Sequence, residues 1–244
     1  MAGLRRVASM ATMASRLATF QMVLPVIHSQ VDHVFVYLDG YDTAPAFLDG
    51  FDRITVRRAE EVGDLHASSR FLCLLELSEP AFVVIVDDDL AYPPDYVERM
   101  ADVLRQLGGQ AIVGVHGRIF LPPHTSYVRH VNPLHYTRAL NTACHVHEVG
   151  IGTCAFLSSR LDVDPRTWDR NDMDDIIVAI EAQKRGLPRI AVPRRAGWLG
   201  GYTEGQTDSL WDRTKADDSE QIRRMHELLA LYAADGQETR QTIS

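Results

Sequence analysis

The sequence lacks three features that would each assign it to a familiar class of protein. It has no long apolar run, because Arg16 and Gln21 interrupt the apolar stretch after Arg5-Arg6, so we predict neither a signal peptide nor a membrane-spanning segment. It has no run of basic residues, and its net charge of −8 argues against nucleic acid as a partner. It has no internal repeat. We expect a cytoplasmic protein, with peripheral membrane contact at most, and a homodimer remains open.

Cysteine is scarce as well. The three cysteines are Cys73, Cys144 and Cys154, and no two of them form a CxxC pair. An odd number favours a reducing compartment over a disulfide framework. Cys73 lies in an apolar run and is predicted to be part of the core, since free cysteine is among the most buried residue types. The 244 residues, 45% hydrophobic and 24% charged, fit one substantial globular domain.

The stretch Ala81–Ala91, AFVVIVDDDLA, organises the rest of the chain. Six uncharged residues, four of them β-branched, lead into Asp87, Asp88 and Asp89. Such an apolar run is typical of a strand buried on both faces of a mostly parallel sheet, and ligands bind where such strands end. Adjacent carboxylates repel one another unless a cation or solvent takes up their charge. We favour a Mg²⁺ or Mn²⁺ site, with Asp89 and Asp87 as ligands, over a solvated strand end with one helix-capping Asp.

Apolar runs alternate with helical spacings along the first half of the chain. This alternation predicts a three-layer α/β/α domain with a mostly parallel central sheet. The predicted strands are Val7–Met13, Val34–Leu38, Ile54–Val56, Ala81–Val86, Ala111–Val115, Val149–Ser158 and Ile190–Val192. The predicted helices are Ser15–His28, Asp64–Leu77, Pro93–Leu107, Asp172–Arg185 and Asp218–Ala234.

Two irregular segments follow in the second half. Residues 118–147 have few apolar runs and many His, Arg, Tyr and Pro residues, so we predict a functional lid or binding loop there. A Gly/Trp-rich loop runs from Arg194 to about Trp211. Within it, Trp198 and Tyr202 are predicted either to stack on a sugar or to anchor the loop through a buried ring. The polar tail from Asp235 is predicted to fray.

Four segments of this pattern resemble the GT-A fold glycosyltransferases, in particular the family 2 enzymes that use a nucleotide-activated sugar. They are RRVASMATMASR (residues 5–16), VFVYLDG (34–40), VVIVDDDLAYPPD (83–95), and GIGTCAF (150–156) followed by NDMDDI (171–176). The third resembles the family's DxD segment, and the fourth resembles its acceptor-side strand and acidic helix start. The resemblance covers about residues 5–200. It implies one GT-A domain over 1–244, with a nucleotide-sugar half (1–117), an acceptor half (118–215) and a C-terminal helix and tail (216–244).

The resemblance implies a metal-dependent, inverting transfer of a sugar from a nucleoside diphosphate sugar, with UDP as the nucleotide. The acceptor would be a hydroxyl of a glycan, a lipid-linked saccharide or a small molecule. Mn²⁺ or Mg²⁺ would stabilise the departing diphosphate. Asp175 or Asp174 would remove the proton of the acceptor hydroxyl. The alternative for these acids is that they complement the dipole of the helix that they begin.

The resemblance also implies nucleotide-binding residues and a further metal ligand. The nucleotide-binding candidates are Arg16, Asp39, Asp64, Arg70, Asp87 and Asp88. Three of them have a plain structural alternative: a turn for Asp39, a helix cap for Asp64 and a helix surface for Arg70. His116, at a strand end, is the candidate further metal ligand. His145 and His147 are weaker candidates, and they lack partners at zinc-site spacing.

The sequence departs from the family pattern in two places. The usual Glu-Asp pair is replaced by Asp172, Asp174 and Asp175, and no histidine near the C-terminus completes the metal shell.

A sugar nucleotidyltransferase is one alternative function, but it would need a Gly-rich phosphate loop that residues 5–16 lack. A phosphatase with a DxD nucleophile is another, but its motif normally follows the first strand. A non-catalytic carbohydrate-binding or scaffold domain of the same fold is a third.

Overall fold

The structure is a computed structural model that describes residues 3–202, 214 and 217–235. Its strands are β1 Arg5–Met13, β2 His33–Asp39, β3 Ile54–Arg58, β4 Ala81–Val86, β5 Leu90–Ala91, β6 Ile112–Gly114, β7 Gly117–Phe120, β8 Val131–Leu134, β9 Cys144–His145, β10 Glu148–Val149, β11 Thr153–Leu157, β12 Arg189–Ala191 and β13 Gly200–Gly201. Its α-helices are α1 Leu17–His28, α2 Ala59–Val62, α3 Cys73–Glu76, α4 Tyr96–Gln106, α5 Asp174–Lys184 and α6 Ser219–Ala234. Short 3-10 helices lie at Ala14–Arg16, Ala46–Gly50, His66–Leu72 and Pro165–Thr167.

An eight-stranded sheet with the order β3-β2-β1-β4-β11-β6-β12-β9 forms the centre of the fold. Strands β3, β2, β1 and β4 are parallel neighbours, and β12 is parallel to β6. Strand β11 lies antiparallel between β4 and β6. All six residues of β4 are buried, as its uninterrupted apolar run predicts. The predicted mostly parallel sheet is confirmed.

Helices cover both faces of this sheet. On one face, α1 packs its residues Phe20, Val23, Leu24 and Ile27 into a core shared with α4. On the other face, α5 and the segment around Cys73 bury a second core. Helix α6 packs against α5 in a third cluster through Met225 and Leu228. The predicted three-layer arrangement is therefore confirmed, and Cys73 is buried as expected.

The predicted helix Asp64–Leu77 is wrong. The chain forms instead the short helix α2, a 3-10 helix at His66–Leu72 and the single turn of α3. Gly63 and His66 have φ angles of 95° and 46°, in the left-handed region where a right-handed helix cannot continue. Leu65, not Asp64, is the residue that precedes the 3-10 helix, and no side chain caps it.

The functional lid or binding loop predicted over residues 118–147 contains strands that the sequence did not reveal. Strands β7, β8 and β9 lie within this segment, and β10, β7 and β8 form a separate three-stranded antiparallel sheet. Apolar periodicity does not reveal these strands because they are short and carry polar residues. Arg118 of β7 faces Glu148 of β10, so a buried ion pair replaces the usual apolar contact.

The Gly/Trp-rich loop is anchored by Trp198 through a buried ring. Trp198 is 4% exposed and donates a hydrogen bond from Nε1 to Asp95 Oδ1 at 3.0 Å. Its ring also lies under the guanidinium of Arg99. The loop beyond Tyr202, to residue 213, and the predicted frayed tail from 236 lie outside the described residues. No helix among the described residues is long and apolar enough to cross a membrane.

Candidate active site

A cleft of about 830 Å³ opens at the carboxyl ends of β1, β2 and β4. This is the edge at which open α/β sheets bind their ligands. Most of the residues that the sequence predicts for the site line this cleft: Arg16, Asp39, Arg70, Asp87, Asp88, Asp89, His116, Asp174 and Asp175. Asp64 does not line it, and its Oδ1 atom lies 3.1 Å from Nδ1 of His66, which does. Segments far apart in the chain therefore meet at one place.

The three aspartates after β4 have different surroundings. Asp89 accepts a hydrogen bond from Arg16 Nη1 at 2.7 Å, and Asp87 is paired with Arg70. Asp88 is buried, and this burial raises the pKa of its carboxyl to about 7. The charges of Asp89 and Asp87 add to that rise, whereas Thr12 and Arg16 oppose it. The cluster therefore holds more negative charge than the folded protein accommodates easily, which suits a cation-binding position.

Gly152 provides the space that Asp87 occupies. A Cβ atom at Gly152 would lie 1.8 Å from Asp87 Oδ2 and 1.9 Å from Asp87 Cγ, far inside van der Waals contact. The backbone of both residues is held by Tyr92, whose hydroxyl accepts from Asp87 N at 2.8 Å and donates to the Gly152 carbonyl oxygen. Any side chain at residue 152 would displace this carboxylate.

Arg70 connects the two acidic segments of the cleft. It is 7% exposed, so the alternative of a helix-surface arginine is wrong. Its Nε and Nη2 atoms donate to Asp174 Oδ2 at 3.0 and 2.7 Å, and its Nη1 donates to Asp87 Oδ1. Ser9 Oγ donates to the Arg70 carbonyl oxygen at 2.6 Å, which fixes its backbone to β1. The guanidinium thus joins the end of β4 to the start of α5.

The three acids at the start of α5 are also distinct from one another. Asp172 is paired with Arg170, which lowers the pKa of Asp172. Asp174 is committed to Arg70. Asp175 accepts from Ile151 N at 2.8 Å, and its pKa is raised well above the ordinary value by burial and by the charges of Asp174 and Glu148. A carboxylate with a raised pKa at the wall of a cleft is suited to accept a proton.

Sequence reasoning missed a buried triad behind Asp175. Glu148 is fully buried and accepts hydrogen bonds from Tyr127 Oη, at 2.8 Å to each carboxylate oxygen, and from Arg118 Nη1 at 3.2 Å. The Arg118 guanidinium lies 3.9 Å from the centre of the Tyr127 ring. Arg118 and Tyr127 line the cleft. The available signal for this triad was Arg118, a charged residue that lies inside a strand.

His116 lines the cleft, but it does not form a compact ligand cluster with the aspartates. Among the described residues, only Asp39, Asp64 and His66 bring three potential metal-ligand atoms within 4.8 Å of one another. Burial lowers the pKa of His116 to about 3, with smaller contributions from nearby cationic groups. The metal role of His116 stays a prediction.

Asp39 and Asp64 meet at His66, which the sequence did not single out. His66 Nδ1 lies 3.2 Å from Asp39 Oδ2 and 3.1 Å from Asp64 Oδ1. Asp39 and His66 line the cleft beside β2. The two weaker histidine candidates lie elsewhere: His145 is exposed on the edge strand β9, and His147 is buried against the ring of Phe120.

A comparison with protein families identifies the group to which these features belong. The family model described as glycosyl transferase family 2 matches residues 19–163, more than half of the chain. This chain belongs to glycosyl transferase family 2. The matched range includes the β4 carboxylates, Arg70 and Gly152. The resemblance inferred from the sequence is confirmed, and the chain is a glycosyltransferase by family. A search of curated proteins found no significant match.

Solved structures share the fold of this family 2 glycosyltransferase. A mannosyltransferase from Pyrobaculum calidifontis, in complex with GDP-Man and Mn²⁺, aligns with a TM-score of 0.56 and 15% identity over 97% of this chain and 65% of its own length. The glucosyl-3-phosphoglycerate synthase of Mycobacterium tuberculosis, in complex with Mn²⁺, UDP-Glc and phosphoglyceric acid, aligns with a TM-score of 0.56 and 15% identity over 94% of this chain and 80% of its own.

A nucleotidyl transferase from Methanothermobacter thermautotroptrophicus aligns with a TM-score of 0.52 and 14% identity, over 91% of this chain and 100% of its own. At such low identities these likenesses show the fold alone. The GT-A fold expected of the family 2 chain is confirmed.

Proposed function

We propose that this family 2 enzyme transfers a sugar, with inversion, from a nucleoside diphosphate sugar to a hydroxyl acceptor. The observation that carries the proposal is the meeting, in one cleft, of three aspartates after β4 with Asp175 at the start of α5. A glycosyl transfer needs charge stabilisation for a departing diphosphate and a base for the acceptor. The two acidic segments supply a group of residues for each task.

The donor side comprises residues 1–117, and its acids suit a hard divalent cation. Asp89 and Asp87 offer carboxylate oxygens, the donors that Mg²⁺ and Mn²⁺ prefer, and Mg²⁺ is commonly bound through one or two carboxylates plus substrate phosphates. When bound, Mn²⁺ or Mg²⁺ would neutralise charge on the diphosphate.

The nucleotide would lie along the β1, β2 and β4 edge of the cleft. Arg16 and Arg70 are the cationic candidates for its phosphates, while Asp39 and Asp64 are candidates for the base or ribose, with His66 between them. We propose UDP as the nucleotide. The mannosyltransferase and the glucosyl-3-phosphoglycerate synthase were solved with GDP-Man and UDP-Glc respectively, so the test includes both nucleotides.

Asp175 is our choice as the base of the acceptor half, residues 118–215. Asp174 is ion-paired with the buried Arg70, whose Nε and Nη2 both donate to its Oδ2 atom, whereas Asp175, within the described part of the chain, accepts only the backbone N–H of Ile151. Asp174 then acts by holding Arg70 and the start of α5 in place. Burial and the charges of Asp174 and Glu148 raise the pKa of Asp175, which makes its carboxylate a stronger base than an ordinary aspartate.

The test is a thermal-shift panel of UDP, GDP, CDP and dTDP, each with Mn²⁺ and with EDTA. A ligand that binds only the native state raises its melting temperature. We expect a Mn²⁺-dependent shift with one nucleotide that is lost in Asp89→Ala and kept in Asp175→Asn. With the donor sugar of that nucleotide, Asp175→Asn should slow transfer by about 100-fold or more. A nucleotide-induced rise in melting temperature that needs neither the metal nor Asp89 would contradict the proposal.

A nucleotidyl transfer is the second candidate, because the archaeal nucleotidyl transferase aligns over its whole length. The turn after β1 is a 3-10 helix, Ala14–Arg16, without glycine, and it does not offer the flexible phosphate loop that such an enzyme would use. Incubation with a sugar 1-phosphate and UTP, followed by assay of pyrophosphate, separates the two functions. Pyrophosphate release would favour this candidate.

A further inference from the structure

Three aromatic rings form one wall of the cleft on its acceptor side. The rings of His135 and Tyr136 are stacked with their centres 4.2 Å apart. The ring of His116 meets both of them edge-on, with centres 5.6 Å from His135 and 6.2 Å from Tyr136. All three side chains line the same cleft as the aspartates after β4. We call these three residues the ring cluster.

The backbone under the ring cluster is held in place. His116 N donates to Thr153 Oγ1 at 3.0 Å, and the His116 carbonyl oxygen accepts from Gly150 N at 3.1 Å. A Cβ at Gly150 would lie 3.0 Å from His116 Cβ and 3.1 Å from its Cδ2, so the histidine packs directly on the glycine backbone. A preformed wall loses less entropy when it binds a ligand.

Arg194 holds the backbone next to the other two rings. It is a buried residue whose Nη2 donates to the carbonyl oxygens of Leu134 and His135, each at 2.9 Å. Its Nη1 donates to the carbonyl oxygen of Val192 at 3.0 Å. These donors are committed to the backbone and are not directed at a ligand. Arg118, the other arginine near His116, is paired with the buried Glu148.

His116 brings unused hydrogen-bonding capacity into this wall. Its Nδ1 atom is buried and has no hydrogen-bond partner among the described residues. A neutral imidazole offers one donor and one acceptor. Burial, followed by the nearby His135, Arg118 and Arg194, lowers the pKa of His116 and so disfavours a charged ring. Buried polar atoms are normally paired, so an unpaired one at a cleft wall points to a bound partner.

The ring cluster also lies close to the reaction centre. His116, His135 and Tyr136 line the same cleft as Asp87 and Asp89, the proposed metal ligands. An acceptor resting on these rings would therefore be beside the donor diphosphate. The wall offers aromatic faces and a neutral imidazole to a ligand, while the Nη1 and Nη2 atoms of its buried Arg194 are occupied by carbonyl groups and its Nε is buried.

We propose that the ring cluster of His116, His135 and Tyr136 is the acceptor subsite and that it takes an uncharged sugar ring rather than a phosphorylated or carboxylated acceptor. The apolar face of a sugar would stack on Tyr136, and His116 would exchange a hydrogen bond with one of its hydroxyls. This assignment rests on the proposed glycosyl transfer and names the class of its acceptor. It gives His116 an acceptor role in place of a metal role.

The test is saturation-transfer NMR on the whole protein with UDP and Mg²⁺. The neutral probes are methyl α-D-mannopyranoside and methyl β-D-glucopyranoside, and the anionic probe is 3-phosphoglycerate. We expect ring-proton signals from at least one neutral glycoside and none from the anion. Tyr136→Ala should abolish the signal, and His116→Phe, which keeps the ring but no polar atom, should weaken binding by roughly tenfold. His116→Gln should restore part of it.

The exposed His145, on edge strand β9 outside the cleft, provides the matched control, and His145→Ala should bind as wild type does. Each variant is also measured for its UDP and Mg²⁺ thermal shift, which should be unchanged. Binding of the anion alone, no glycoside binding by a protein that retains its UDP shift, or loss of the metal-dependent shift in His116→Phe would each overturn the assignment. Absence of any UDP shift in the wild type would instead count against the proposed function.

Discussion

A single methyl group at Gly152 is expected to disable the donor site. The Cβ of Gly152→Ala would lie 1.8 Å from Asp87 Oδ2, whereas ordinary contact begins at 3.4 Å, so the carboxylate must move by about 1.6 Å. The backbone cannot retreat easily, because Tyr92 is hydrogen-bonded to both residues. Gly152 has no positive φ angle, so an alanine there is strained by contact alone.

The displacement has two measurable consequences. Overpacking of this kind costs about 1–3 kcal/mol, which for a chain of this size lowers the melting temperature by roughly 2–12 °C. Movement of Asp87 also breaks its pairing with Arg70, and a misplacement of about 1 Å in an active site can cost about 100-fold in rate. We therefore expect Gly152→Ala to lose the metal-dependent nucleotide shift and at least about 99% of transfer activity.

Gly50 provides the control, since a Cβ there would meet nothing within 4 Å and its φ angle is ordinary. Gly50→Ala should lie within about 0.5 kcal/mol of wild type. Removal of the displaced group should relieve the strain, so Gly152→Ala should cost little stability when Asp87→Ala is already present. The reasoning is refuted if Gly152→Ala is as stable and as active as Gly50→Ala, or if its stability cost is unchanged without Asp87.

Two further substitutions test buried titratable groups that do not line the cleft, His147 and Glu148. Burial lowers the pKa of His147 to about 4, so the folded state binds this proton less readily than the unfolded state. Stability should therefore fall as pH drops below 6.5, by about 2 kcal/mol at pH 5 for this residue, and urea denaturation of His147→Phe should show a shallower fall than wild type. Glu148→Ala should cost about 3–5 kcal/mol in the same assay because it leaves Arg118 buried without its carboxylate. The exposed pair of Asp102 and Arg105 is the control, and Asp102→Ala should cost less than about 1 kcal/mol.

The sequence predicted the central layer well because its signals are local. The apolar run before Asp87 dictates a buried strand wherever it lies, and the spacing of Phe20, Val23 and Ile27 dictates a helix with one buried face. The acidic residues at the start of α5 were likewise visible as a helix start. These elements need only their own residues to be recognised.

The elements that the sequence analysis predicted wrongly or missed depend on contacts with residues distant in the chain. The predicted helix after Asp64 fails because His66 adopts a left-handed conformation while its side chain bonds to Asp39. Strand β7 escapes detection because Arg118 finds its counter-charge in Glu148, thirty residues later. The antiparallel position of β11 between β4 and β6 likewise has no local signal. Tertiary contact overrides local preference in each case.

Arg70 shows how these distant contacts define the active site. A run of acids after a strand is a weak motif alone, and a second run at a helix start is equally explained by the helix dipole. The buried guanidinium makes the two runs one structure, because Asp87 and Asp174 each satisfy part of its charge. Loss of either acid would leave the buried guanidinium of Arg70 with only one carboxylate partner, which is destabilising. The spacing between the proposed metal ligands and Asp175 is thus set by a stabilising ion-pair network, so the fold's stability and the geometry of the site depend on the same residue.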